Sequence, residues 1–229
     1  MKTLALVLAR GGSKRLPGKN IMEICGKPLL GWTVESALNS PSIDKVLVST
    51  DSPSIQSVAL KYGAECPFLR PDYLSSDTAT SVDAAIHALD YAEEKWGKFD
   101  SLILLEPTSP LRKKDDLENG VQLLRKEFNK ADGVVSIGKI QLENPLYCKE
   151  IKNGFVSPLD VRAEGKDFYF PYGVFYLVKT LVLREKKAFY TDQMLPYFIE
   201  RWQNYEVDDM FDFKCVESIL QMKMSEVSK

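Results

Sequence analysis

A chain of 229 residues that is 45% hydrophobic and 27% charged suits one globular domain, or a domain with an embellishment, and buries roughly 70–75% of the surface of its unfolded form. Its net charge of −2 and pI near 5.6 give no global attraction to a nucleic acid polymer or an anionic membrane, and no apolar stretch reaches the ~18 residues of a membrane span. The four cysteines, Cys25, Cys66, Cys148 and Cys215, are scattered with no C-x-x-C pair and no adjacent histidine, which argues against structural zinc and matches reduced thiols in a cytoplasmic protein.

Met1-Lys2-Thr3 runs straight into the first apolar segment, Leu4-Ala5-Leu6-Val7-Leu8, which predicts a buried strand over 3–9 and no targeting leader. The loop that follows, Ala9 to Asn20, carries Gly11, Gly12 and four cations, Arg10, Lys14, Arg15 and Lys19. Glycines such as Gly12 permit φ > 0 and let backbone N–H groups approach an anion, while the cations offset polyphosphate charge. A solvated basic loop is the alternative, but open α/β sheets bind ligands at the carboxyl edge of their strands, where this loop sits. Two better-known phosphate loops fail on spacing. Five residues separate Gly12 from Gly18 where a P-loop has four, Asn20 stands where it has Ser or Thr, and no G-x-G-x-x-G is present.

Further strands are predicted at 45–50, 65–69, 101–105 and 133–138, alternating with helices near 28–39, 53–62, 80–96 and 114–128, the βαβ rhythm of a mainly parallel sheet covered on both faces. In the third helix Val82, Ala85, Ile86, Leu89 and Trp96 share one face. The only histidine, His87, reads as a helix-surface residue, which weakens any His-based nucleophilic mechanism and excludes a multi-histidine metal centre. Arg70-Pro71 and the polar run Ser75 to Ser81 form a second loop at the same sheet edge, with Asp77 or Thr78 as simple helix caps in the plainer reading. After the strand at 101–105, Glu106-Pro107-Thr108-Ser109-Pro110-Leu111-Arg112 is a proline-stiffened turn that presents hydroxyls and charges at that edge, or is an ordinary strand-to-helix turn.

From 140 to 170 the rhythm breaks into short segments punctuated by Asn144-Pro145, Asn153-Gly154, Ser157-Pro158 and Glu164-Gly165, which predicts an inserted β-rich arm. Such an arm packs on its own domain or on a second subunit, and the second is expected here. Strand signals resume at 168–170 and 174–177, and a helix closes the chain from about 209 to 224. Just before it, Glu206 and Asp208 fall at i and i+2, which on an extended segment turns both carboxylates to one side, toward a shared hard cation. Asp209 reads as the N-cap of the closing helix.

Residues 9–20, Val48-Ser49-Thr50-Asp51, Arg70-Pro71 with Ser76-Asp77-Thr78-Ala79, and Pro107 to Arg112 occur in the order found in acylneuraminate cytidylyltransferases. The chain resembles this family, the CMP-sialic acid synthetases and their relatives that activate legionaminic or pseudaminic acid, over almost its whole length and most strongly over 1–112. Related nucleotidylyltransferases share only the shorter R-x-G-S-K-R core. The resemblance implies a Rossmann-like α/β nucleotidyltransferase domain over 1–229, with the arm at 140–170 exchanged in a homodimer. It implies attack by the anomeric hydroxyl of an acidic nine-carbon sugar on the α-phosphate of CTP. By the same resemblance Arg10, Ser13, Lys14 and Lys19 contact the triphosphate, and Asn20, Arg70, the Ala79 backbone and Ser81 read the cytidine. Asp208 and Glu206 hold Mg2+, and Arg162 grips the sugar carboxylate.

The chain departs from that pattern in the sugar half. Glu106 replaces a common Gln, Tyr172-Gly173 replaces Asn-Gly, and Arg162 to Asp167 lacks an Arg-Arg-Gln-Asp run. The nucleotide half therefore transfers better, and the acceptor need not be N-acetylneuraminic acid. The expectation is a cytoplasmic cytidylyltransferase that uses CTP and magnesium. The alternatives are a related enzyme for another nucleotide or sugar phosphate, such as a guanylyltransferase, and a nucleotide-binding regulator without catalysis.

Overall fold

The computed structural model describes residues 1–76, 78–140, 145–158 and 167–227. In chain order these form β1 (Thr3–Leu8), β2 (Glu23–Ile24), β3 (Lys27–Pro28), α1 (Leu29–Leu38), β4 (Lys45–Ser49), α2 (Pro53–Lys61), α3 (Ser81–Trp96), β5 (Ser101–Leu105) and α4 (Asp116–Lys126). They continue with β6 (Gly133–Lys139), β7 (Lys149–Lys152), β8 (Phe155–Pro158), β9 (Tyr169–Lys179), α5 (Thr180–Lys186), β10 (Met194–Phe198) and α6 (Met210–Val227).

Six strands make the central sheet in the order β10-β6-β9-β5-β1-β4. β1 runs parallel to β4 and β5, β10 runs parallel to β6, and β9 alone is antiparallel to both its neighbours. The strand side chains alternate between two layers. Ala5, Val7, Ile103 and Leu105 meet α1, α2 and α4 through Val34, Ala59 and Val121, whereas Leu4, Leu6, Leu102 and Leu104 meet α3 and α5 through Ala88, Leu89 and Leu183. Burial on both faces is why β1 and β5 read as unbroken apolar runs. The chain leaves β1 for β4 on one side and returns to β5 on the other, so a crevice opens between the carboxyl ends of β1 and β5. A third cluster lies at that end. Leu16, Leu29, Leu111, Val207, Phe213 and Val216 pack the first loop, the proline-rich turn and α6 into one unit.

Several local expectations need correction. The strand expected at 65–69 is reduced to two isolated parallel bridges, Leu47 to Glu65 and Thr50 to Leu69, because Pro67 between them has no N–H to continue a ladder. The two strand signals at 168–177 belong to one long strand, β9. Neither α5 nor β10 was expected. α5 has only seven residues, and Pro196 interrupts the signal of β10, an edge strand that tolerates it. Positive φ in the first loop occurs at Gly18 (70°) and not at Gly11 or Gly12. Helix α3 is capped by Thr80, whose Oγ1 accepts from the Asp83 N–H at 3.1 Å, rather than by Thr78; Asp77 lies outside the described residues. His87 is half-buried, edge-on to Phe68 with ring centroids 5.0 Å apart.

Within the arm, β7 and β8 pair antiparallel across Asn153 (φ 53°) and Gly154 (φ 83°), the left-handed pair that a two-residue hairpin turn requires. Ile151, Phe155 and Val156 are 70%, 75% and 71% exposed. Among the described residues this hairpin is a separate two-stranded sheet beside the central one.

Candidate active site

The first loop is held at both ends by its own polar groups. Gly11 N–H donates to Asp51 Oδ1 at the end of β4 (2.8 Å), and the buried Asn20 amide donates to the Arg10 carbonyl (2.9 Å). Between them Gly18 supplies the left-handed turn that swings Lys19 inward. Lys19 Nζ donates to the Val207 carbonyl and to Asp208 Oδ1, each at 2.9 Å, and Arg15 Nη1 lies 3.3 Å from Asp208 Oδ2. The basic loop near one end of the sequence and the acidic segment near the other therefore meet directly.

That segment is anchored from both sides. Val207 N–H donates to the Thr108 carbonyl at 2.8 Å. Asp209 caps α6 as expected, its Oδ1 accepting from the N–H groups of Phe211 (2.8 Å) and Asp212 (3.0 Å). Asp212 returns the bond, its Oδ2 accepting from the N–H of Asp208 and Asp209, so a reciprocal capping arrangement fixes the backbone that carries Asp208.

These elements enclose a cleft of about 440 Å³ at the β1/β5 crevice, floored by Leu8 and Leu104 and walled by Arg10, Ser13, Lys14, Arg15, Lys19 and Asn20, then by Ser81, Glu106, Pro107, Thr108 and Asp208. A second cleft of about 340 Å³ adjoins it, sharing Leu8, Arg10 and Ser81 and adding Arg70, Ser75, Ser76 and Ala79. Arg70 is buried, with Nε donating to Ser75 Oγ at 3.1 Å. Burial lowers its pKa, Asp51 opposes that shift and Arg10 adds to it. Ser81 opens α3 at the junction of the clefts, where the first N–H groups and the positive end of the helix dipole favour an anion.

At the far end of the larger cleft the proline-rich turn is tied down by Arg112. Its guanidinium donates to the carbonyls of Val174 (2.7 Å), Glu106 (2.9 Å) and Gly173 (3.2 Å) and to Thr33 Oγ1 (2.9 Å). Burial pulls its pKa down to about 10 against the opposing influence of Asp116, Glu106 and Glu206. Behind it, the buried Asp116 carboxylate accepts from Tyr197 Oη (2.9 Å), Lys113 N–H (2.7 Å) and Gln203 Nε2 (2.6 Å), joining α4, β10 and the chain leading to Asp208. Glu106 itself is half-buried, and burial followed by the nearby Glu206 raises its pKa to about 7, with Arg112 and Lys19 pulling the other way and Asp208 adding slightly to the rise. Gly173 leaves the room it needs: a Cβ there would stand 2.6 Å from both Glu106 Oε2 and Ser109 Oγ.

Of the residues singled out in the sequence, Arg10, Ser13, Lys14, Lys19, Asn20, Ser81, Glu106 and Asp208 line the larger cleft, and Arg70 and Ala79 line the smaller. Gly12, Tyr172, Gly173 and Glu206 stand outside these walls; the Tyr172 ring packs edge-on against Phe170, and the Gly173 N–H donates to Glu206 Oε1. Arg162 lies outside the described residues. Glu206 and Asp208 both act on Glu106, yet one is held by Gly173 and the other by Lys19 and Arg15. Sequence reasoning assigned no role to Arg112 or Asp51, whose partners are set by distant segments.

A divalent cation can be accommodated. Among the described residues no three acidic, histidine or cysteine side chains form a ready-made metal cage, but Mg2+ commonly takes one or two carboxylates and completes its shell with phosphate oxygens and water. Asp208, whose side chain is 60% exposed at the cleft rim, is a hard-oxygen donor of that type.

Comparison with known proteins places this geometry in context. A family profile described as cytidylyltransferase matches residues 4–216. CMP-N,N'-diacetyllegionaminic acid synthase of Legionella pneumophila is 34% identical over 232 residues, which cover 97% of either chain. Pseudaminic acid cytidylyltransferase of Campylobacter jejuni serotype O:23/36 is 30% identical over 220 residues, covering 93% of this chain and 94% of its own. Among solved structures, a CMP-2-keto-3-deoxy-manno-octonic acid synthetase complexed with CTP superposes with a TM-score of 0.74 at 19% identity, over 97% of this chain and 100% of that one, a likeness of fold.

Proposed function

The chain belongs to the cytidylyltransferase family, and from that premise we propose that it transfers CMP from CTP to the anomeric hydroxyl of an acidic nonulosonic sugar and releases pyrophosphate. The observation that carries this reading is the contact of Lys19 with Asp208 across one cleft that runs on into a second containing Arg70 and Ser81. A nucleotide laid along both puts its base beside Arg70, Ala79 and Ser81 and its phosphates over Arg10, Ser13, Lys14 and Lys19. The acceptor then takes the Glu106 end.

In the reaction the anomeric hydroxyl gives up its proton to solvent and its oxygen forms a bond to the α-phosphorus as the bond from that phosphorus to the bridging oxygen of pyrophosphate breaks, the departing charge remaining over the loop cations. Asp208 would hold Mg2+, which supplies charge neutralisation of the triphosphate, with Glu206 a second candidate ligand only if it leaves the Gly173 N–H. Exposed ion pairs are worth about 0–1 kcal/mol each, so the loop cations alone fall short of the roughly −8 kcal/mol of micromolar binding. The remainder comes from backbone N–H groups, the start of α3 and the cation.

We further propose a cytoplasmic homodimer in which the exposed Ile151, Phe155 and Val156 of the hairpin pack on a second copy. The function is tested by pyrophosphate release from CTP with magnesium against a panel of nonulosonic acids and 2-keto-3-deoxy-manno-octonic acid. Release coupled to formation of a CMP-sugar is expected. CTP binding with no release would make the protein a nucleotide-binding regulator, and a preference for GTP would make it a guanylyltransferase.

A further inference from the structure

We propose that the Glu106 carboxylate selects the acceptor, accepting hydrogen bonds from a cationic, N–H-bearing substituent such as an amino or amidino group. The inference rests on the cytidylyltransferase reading and narrows its substrate class. Three observations carry it.

The first is position. The smaller cleft and the basic loop account for a base and its phosphates, and the two clefts overlap at Leu8, Arg10 and Ser81. Glu106 lies in the larger cleft alone, with Asp208, at the end left for the second substrate. The second is the lack of a partner within the protein. The Glu106 side chain makes no hydrogen bond or ion pair with any described residue, although it is half-buried. The nearby cations are committed elsewhere. Arg112 spends its donors on Thr33 Oγ1 and on the carbonyls of Glu106, Gly173 and Val174, and Lys19 spends its own on the Val207 carbonyl and Asp208. A carboxylate partly withdrawn from water with no hydrogen-bonded donor is costly and is relieved by a ligand that brings the donor.

The third is the surrounding shape. Gly173 adds no side chain of its own beside Glu106 Oε2, where the Ser109 hydroxyl also stands. An amide at position 106 would offer an N–H donor of its own and carry no charge, so it would accept a neutral acyl oxygen that the carboxylate turns away.

An N-acetyl group and its N-acetimidoyl isostere differ only in replacing C=O by C=NH2+, which makes them the matched probes. Pyrophosphate-release kinetics should be measured for the wild type and Glu106→Gln with an N-acetylated nonulosonic acid and with its acetimidoyl isosteres, one for each acylamino position. At one position the wild type should prefer the amidine in kcat/KM by about tenfold or more, the scale of one hydrogen bond to a charged group. Glu106→Gln should abolish that preference while KM for CTP stays within about twofold, since the base and phosphates are bound elsewhere. Equal use of amide and amidine by the wild type at every position would overturn the proposal, as would a preference that survives in Glu106→Gln. Failure of the cytidylyltransferase reading is distinguishable: the wild type would then release no pyrophosphate with any acceptor, and the proposal would fall with it.

Discussion

Lys19 and Asp208 lie at opposite ends of the sequence and 2.9 Å apart in space. Replacing either with alanine should lower kcat/KM for CTP on the order of 10²-fold, by analogy with the loss of one charge-stabilising donor, and steady-state pyrophosphate release checks it. Glu106 gives a second test at this scale. Its carboxyl rises from the ordinary 4.5 to about 7 on folding, so the folded state binds that proton more tightly than the unfolded chain. The associated stability is complete below about 4.5 and is lost as the pH climbs through about 7. Glu106→Gln should therefore raise Tm more at alkaline than at acidic pH, as thermal denaturation across that range will show; an equal shift at both ends would refute the assignment. Lys19 was legible because glycines and cations crowd one loop. The burial of Glu106 was not, because it depends on Gly173 and Glu206 from segments far along the chain.

At the level of elements, the active-site loops are positioned by polar clamps more than by regular structure. Arg112 ties the end of β5 to β9 and α1 through bonds that a lysine, with one compact ammonium, cannot reproduce together. Each carbonyl left buried and unpaired costs about 1–3 kcal/mol, so Arg112→Lys should destabilise by at least about 2 kcal/mol in urea denaturation. Because Glu106 and Gly173 lose their anchor while the first loop does not, KM for the acceptor should rise more than KM for CTP. The sequence pattern located β1, β4, β5, β6 and the first four helices to within a few residues, since their apolar periodicities are long and bounded by turn residues. It missed β10, where Pro196 breaks the alternation, and overcalled 65–69, where Pro67 ends the ladder. Clamping by Arg112 is a long-range choice of partners that no local window contains.

For the whole molecule, the order of strands dictates where chemistry can occur, because the reversal between β4 and β5 leaves the crevice beside β1 as the one place where the loops after β1 and β5 face each other. The alternation of apolar and amphipathic segments made this α/β plan readable, whereas the antiparallel insertion of β9 between β5 and β6 was not, since pairing partners leave little local trace. The hairpin of β7 and β8 belongs to this scale as well. Its exposed Ile151, Phe155 and Val156 are the proposed contact with a second copy, so Phe155→Asp should convert a dimer into a monomer in light scattering after size-exclusion chromatography. A wild-type monomer would remove that proposal without touching the site.

The central claim is that one nucleotide spans both clefts, with its phosphates between the first loop and Asp208. A crystal structure with CTP and Mn2+ in place of Mg2+ tests it most directly. The account predicts the pyrimidine beside Arg70 and Ser81, the triphosphate within hydrogen-bond reach of Arg10, Ser13, Lys14 and Lys19, and anomalous scattering from manganese at Asp208. CTP seated away from the β1/β5 crevice, or manganese bound elsewhere, would contradict it.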